Sequence, residues 1–157
     1  GRVERGNPVM RLLLSNPTIR HVVMANSYTN PLMTKFLLRR FTARDEMVDD
    51  RVAQLYQRPL TLQGTTDAFG YWAYLYVSGA DTGLSLQRSQ YQSLDIPVIM
   101  IWGEADPHAP PGDAFALQNM LSSSTVITLK GVGHLPHLED QSRFHSALKT
   151  ALSLIPE

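Results

Sequence analysis

The chain has 157 residues, enough for one domain with a real core, and its 14 basic and 14 acidic residues cancel to a net charge of zero. That balance offers no attraction to nucleic acid or to an anionic membrane surface. The absence of cysteine removes disulfides and thiolate metal sites, and fits a reducing compartment, the cytoplasm. No apolar run approaches the roughly 20 residues that span a bilayer, and no apolar segment follows the charged start to make a signal peptide. The first residue is not Met, so the chain is expected to begin inside a longer one.

Residues 7–57 read as short helices with an apolar face each. Val9, Met10, Leu12, Leu13 and Leu14 form the first. Ser15-Asn16-Pro17 is a restart, a polar cap followed by proline in the first turn. The next segment contains Val22-Val23, which leaves a strand open. Asn30-Pro31 repeats the restart, with Leu32, Phe36, Leu37 and Phe41 behind it. Thr42 to Glu46 is expected to start a further helix through Met47, Val48, Val52, Leu55 and Tyr56, ended by Pro59. In the next segment Phe69, Trp72 and Tyr76 share a helical face, although Gly70 weakens a helix there. Residues 78–92 are polar and read as a linker.

Composition shifts near residue 93. Residues 98–102 are Val, Ile, Met, Ile and Trp, and residues 125–129 are Thr, Val, Ile, Thr and Leu; both read as strands. Between them Leu117, Met120 and Leu121 have helical spacing, and Phe144, Leu148, Leu152 and Ile155 repeat it at the end. The order is strand, loop with an acid, helix, strand, loop with a histidine, helix. That is a βαβα unit whose parallel strands are buried on both faces. The expected organisation is a helical region with linker over residues 1–92 and an α/β region over 93–157. Two strands alone make a poor parallel sheet, so partner strands must come from elsewhere. Until they do, the bare edge favours aggregation or a homo-oligomer.

In such sheets reactive groups sit on loops beyond the carboxyl ends of the strands. Asp106 follows the first strand in Trp102-Gly103-Glu104-Ala105-Asp106, and His134 follows the second in Gly131-Val132-Gly133-His134-Leu135-Pro136-His137-Leu138-Glu139. A carboxylate that accepts from imidazole Nδ1–H fixes its tautomer and lets the other nitrogen act as a general base. Gly103, Gly131 and Gly133 give these loops freedom to turn, and Glu139 sits where the start of the last helix favours negative charge. Asp106 also fits a plain turn before Pro107. His108 and His137 fit loop or surface residues, and His21 and His145 carry no functional signal. Asp113 fits a helix N-cap better than a rival acid. A metal set of Asp106, His108, Asp113, His134 and His137 is conceivable by residue type, but His134-x-x-His137 with proline between is not a usual ligand spacing. The aromatic set around Trp72 fits core better than pocket, and Trp102 fits either.

The run from Ile96 to Pro110, followed by Gly-His-Leu-Pro-His-Leu-Glu at Gly133 to Glu139, resembles the α/β-hydrolase family. That resemblance implies a partial α/β-hydrolase fold: parallel strands with flanking helices plus a helical cap. Asp106 then matches the triad acid and His134 the triad histidine, in the family's chain order of nucleophile, acid, histidine. The nucleophile elbow Gly-x-Ser-x-Gly is absent around every serine, and so is the Gly-rich oxyanion loop. The nucleophile is therefore expected upstream of Gly1, in a missing N-terminal half of the same fold that acts as partner. The implied activity is hydrolysis of a small ester-like substrate without a cofactor or metal, with Trp102, Phe69, Trp72 and Tyr76 as substrate contacts. The wording around His134 is closer to carboxylesterases and C–C-bond hydrolases than to dehalogenases. The alternatives are a dehalogenase- or epoxide-hydrolase-like member with an Asp nucleophile, and a non-catalytic relative that binds a small apolar ligand or a partner protein.

Overall fold

Proline sets the helix starts. Pro17 and Pro31 open α2 (Pro17–Ala25) and α3 (Pro31–Arg39), which follow α1 (Pro8–Ser15), because the first turn needs no N–H from a proline and its φ is already helical. Asn16 caps α2 by accepting from the backbone N–H groups of Thr18 and Ile19 at 2.9 and 3.2 Å. That cap decides the Val22-Val23 segment as helix rather than strand. A computed structural model describes residues 8–78 and 87–155, which fall into two compact units. One unit holds the described residues up to Leu37 and from Asp49 to Ser78. The other holds Leu38–Val48 and the described residues from Gln87 onward.

The first unit contains α4 (Asp50–Gln57) and α5 (Thr65–Ser78) besides the opening helices. The helix expected from Thr42 is broken. A 3-10 turn at Asp45–Met47 leads to a non-helical Val48, and Asp49 then caps α4 by accepting from Val52 N–H at 2.8 Å. A carboxylate at the cap position competes with continuation of the preceding turn. Gly70 does not interrupt α5. It is buried where α2 lies closest, and a Cβ there would stand 2.8 Å from Cγ of Arg20. Arg20 crosses that contact, donating to the Leu14 carbonyl at 2.9 Å with its guanidinium 5.6 and 5.8 Å from the rings of Tyr71 and Tyr74.

The second unit carries α6 (Arg88–Gln92), β1 (Val98–Gly103), α7 (Pro111–Gln118), β2 (Ser124–Leu129), α8 (Pro136–Glu139) and α9 (Gln141–Ser153). Part of the expected linker is thus the short helix α6, and residues 79–86 of it lie outside the described residues. β1 and β2 are parallel, in register from Val98 opposite Ser124 to Gly103 opposite Leu129. The βαβα order holds, and among the described residues the sheet has these two strands. Ile101, Ile127 and Leu129 meet Phe144 and Ala147 of α9, with Val132 buried among them. Burial on both faces is incomplete: Met100, Gly103 and Leu129 are buried while most other strand residues are half-buried. Two strands offer too little width to be covered fully.

Asp113 is not the cap of α7. Pro110 and Pro111 start that helix, and Asp113 lies in its first turn, where the helix dipole favours its charge. The cap of α9 is Asp140, which accepts from Arg143 N–H at 3.0 Å. That bond, with those from the Ser142 hydroxyl and the Arg143 side chain, holds the Asp140 carboxyl below the usual carboxylate range against some desolvation. No helix among the described residues is long and apolar enough to cross a membrane.

The small core makes two substitutions diverge. Leu129→Ala, at a position 6% exposed, should cost about 2–5 kcal/mol. Leu152→Ala on the open side of α9, at 60% exposure, should stay within about 0.5 kcal/mol of the parent. Urea denaturation of both variants checks the pair.

Candidate functional site

The ends of β1 and β2 meet without side chains between them. A Cβ at Gly103 would lie 2.0 Å from the Gly133 carbonyl oxygen and 2.4 Å from that of Val132. Glycine is required there for close approach, not for an unusual turn. Gly133 is closed in the same way, by Ala43 N at 2.6 Å and a Glu139 carboxylate oxygen at 2.7 Å from its imagined Cβ. Of the loop glycines, Gly131 takes the left-handed conformation, with φ of 65°. Hydrogen bonds then tie the loops. Glu104 N–H donates to Leu129 O and Ala105 N–H to Val132 O, each at 2.9 Å, and Gly131 N–H donates to the Glu104 carboxylate at 3.2 Å.

This contact carries Asp106 to His134. Asp106 Oδ2 is 2.7 Å from His134 Nδ1. Its other oxygen accepts from the backbone N–H groups of His108 and Ala109 at 2.8 and 2.9 Å. The Asp106 side chain is 5% exposed and the His134 side chain 40%. Burial pushes the Asp106 pKa up, but the Ala109 and His108 N–H groups and the bond and charge of His134 outweigh it and hold the carboxyl below its ordinary value. Among the described residues no hydrogen bond engages His134 Nε2. The ring lies 5.6 Å from Phe41 and edge-on to His108 at 5.9 Å. An ionised acid therefore holds Nδ1, and the second nitrogen of a partly open imidazole is left to exchange a proton.

Of the other sequence-predicted contacts, Trp102 shares the unit that holds this pair. Trp102, next to the end of β1, is half-buried and donates from Nε1 to Ala109 O at 2.8 Å, which braces the Asp106 loop. Phe69, Trp72 and Tyr76 belong to the other unit. They run along one face of α5, with ring centroids 5.4 Å apart for Phe69 and Trp72 and 5.7 Å for the stacked Trp72 and Tyr76. His137 meets Phe144 edge-on. Among the described residues no group of three or more acidic or histidine side chains is arranged to hold a metal.

Several contributors were not visible as such in the sequence. The segment Arg40 to Ala43 joins the histidine loop: His134 N–H donates to Phe41 O and His108 Nε2 meets Arg40 O, each at 2.9 Å. Glu139 does not serve the start of the last helix, whose cap is Asp140. It ends α8, is 1% exposed and accepts from backbone N–H groups.

No protein-family model matches the chain, and no curated protein matches it in sequence. Solved structures do. A serine hydrolase involved in carbazole degradation is 19% identical with a TM-score of 0.64, over 80% of this chain and 48% of that one. An esterase from Exiguobacterium antarcticum is 14% identical with a TM-score of 0.62, over 88% and 48%. An alpha/beta hydrolase fold protein from Burkholderia ambifaria is 20% identical with a TM-score of 0.60, over 92% and 51%. The chain carries part of the α/β-hydrolase fold. It spans about half the length of the structures that share it. As an α/β-hydrolase-like chain it presents the Asp106 and His134 loops side by side at the carboxyl ends of two parallel strands.

Two outcomes follow from this geometry. Gly103→Ala should destabilise the second unit by about 3 kcal/mol or more, because backbone carbonyls rather than a flexible side chain occupy the space; circular dichroism against urea reads it. Asp106 has a depressed folded pKa, so its stabilisation is present above the unfolded carboxylate value and is lost as pH falls through the folded one. Asp106→Asn should cost about 1–3 kcal/mol at neutral pH from the lost charged hydrogen bonds. The gap between parent and variant should close in acid, below about pH 4, in denaturation series run at stepped pH.

Proposed function

We propose that this chain is part of an α/β-hydrolase that cleaves a small ester-like substrate, with His134 as general base and Asp106 as the residue that orients it. The observation that carries the reading is the 2.7 Å bond from His134 Nδ1 to a buried, ionised Asp106, with Nε2 left open among the described residues. In the proposed reaction Nε2 takes the proton of a nucleophile as the nucleophile attacks the acyl carbon. The imidazolium, stabilised by Asp106, returns that proton to the leaving alcohol. A water deprotonated by the same nitrogen then attacks the acyl carbon, and the imidazolium returns that proton to the departing nucleophile as the acid is released. Asp106 stays ionised throughout, as its lowered pKa requires.

The nucleophile is proposed to lie outside these 157 residues, in a preceding half of the fold. The absent Gly-x-Ser-x-Gly sequence and the half-length match to solved structures support this. A serine is favoured over an aspartate because the similar structures include a serine hydrolase and an esterase. Residues 1–92 are proposed as helical cap and linker and 93–157 as the C-terminal part of the core, with Leu38–Val48 joining the core's unit. Trp102, Phe69, Trp72 and Tyr76 stay as proposed substrate contacts, because small-molecule sites are lined mainly by apolar and aromatic side chains. No cofactor enters the mechanism. The cytoplasm as compartment rests on the cysteine-free sequence.

The test begins with the intact mass of the protein from its native source, with and without a fluorophosphonate probe. A species well above 17.6 kDa that gains one probe mass supports a serine nucleophile in the preceding half. A larger species that stays unlabelled turns the reading to an aspartate nucleophile or a non-catalytic binder. In the active enzyme His134→Ala should lower turnover by about 10⁶-fold with folding intact. Near-parental turnover would refute the assignment.

A further inference from the structure

Glu139 is the charged residue that is fully buried among the described residues, at 1% exposure, and the acid–imidazole pair does not use it. A buried carboxylate is costly unless its oxygens are fully hydrogen-bonded. Here main-chain N–H groups meet them. Gly133 N–H lies 3.1 Å from both oxygens, Leu135 N–H 3.4 Å from one, and Ala43 N–H 2.8 Å from the other. Gly133 and Leu135 flank His134 on either side. The amide of His134 itself donates to Phe41 O at 2.9 Å, so the amides of three consecutive residues around the base are all held.

We propose that Glu139 is a positioning residue. Its carboxylate clasps the backbone on both sides of His134, ties that loop to Ala43, and so fixes the aim of the imidazole at Asp106. The proposal rests on the reading of His134 as the base. The chemistry needs a carboxylate rather than an amide. Two acceptor oxygens serve three donors, whereas Gln keeps one acceptor and turns an NH2 group toward another N–H. The site has no slack to absorb the mismatch, since a Cβ at Gly133 would already lie 2.7 Å from Oε1.

The test is NMR of the full-length active enzyme that contains these 157 residues. A histidine N–H hydrogen-bonded to a carboxylate gives a resolved downfield resonance, assigned by its loss in Asp106→Asn. Glu139→Gln should lose that His134 Nδ1–H signal while the protein remains folded. Ala151→Gly, which weakens α9 at a buried position away from the loop, should keep it. A folded Glu139→Gln with the parental signal overturns the proposal, as does loss of the signal in both variants, which would make the effect one of general stability. If Glu139→Gln does not fold, amide exchange in the parent decides. Slow exchange of Gly133 and Ala43 together is expected, and free exchange of either overturns the clasp. The two readings fail separately: unchanged turnover in His134→Ala removes the base, whereas an unchanged Nδ1–H signal in Glu139→Gln removes the clasp.

Discussion

The backbone contact between Gly103 and Val132-Gly133 constrains everything that follows the two strands. The two parallel strands end side by side. Here the carbonyls of one loop fill the space where a side chain of the other would start. The bonds from Glu104 and Ala105 to Leu129 and Val132 extend the strand pairing by a further step past the sheet. Asp106 and His134 are thereby brought within one hydrogen bond by main-chain geometry. The two amides on its other oxygen then restrict the Asp106 side chain to the rotamer that faces His134.

The charges around that contact follow from it. A loop packed this tightly has many N–H groups and little room for long cationic side chains. Its anions are therefore stabilised by amides. Asp106 receives two and Glu139 three different ones. This matters for an imidazole that must gain and lose a proton. A neighbouring Lys or Arg would oppose the imidazolium, whereas amide dipoles hold the carboxylates in place without adding a net charge.

The second half of the chain was legible because its signals are local. An apolar β-type run, a glycine and an acid or a histidine follow one another within a few residues, and each strand appears where its pattern places it. The proline restarts marked the early helices for the same reason. What the sequence concealed was non-local. Nothing near Phe41 or Ala43 marks them as partners of a loop some 90 residues later. Asp49 takes the cap role from a helix that propensity would have run through Val48. For Asp113 and Glu139 the sequence offers only proximity to a helix start. The structure gives that start to Pro110-Pro111 in one case and to Asp140 in the other.

A second histidine–aspartate pair shows why residue type alone is a poor guide. His21 Nδ1 and Asp67 Oδ1 are 2.6 Å apart, no farther than the pair at the strand ends. Their side chains are 51% and 69% exposed, and among the described residues the second oxygen of Asp67 meets no donor. Water screens such a pair, leaves its geometry loose and makes it worth little. Asp106 differs in being enclosed, in having one oxygen fixed by two amides, and in leaving the other a single direction in which to accept. The functional reading therefore attaches to the enclosure built by Gly103, Trp102 and the Val132-Gly133 backbone. The same two side chains without that enclosure form a surface contact between helices.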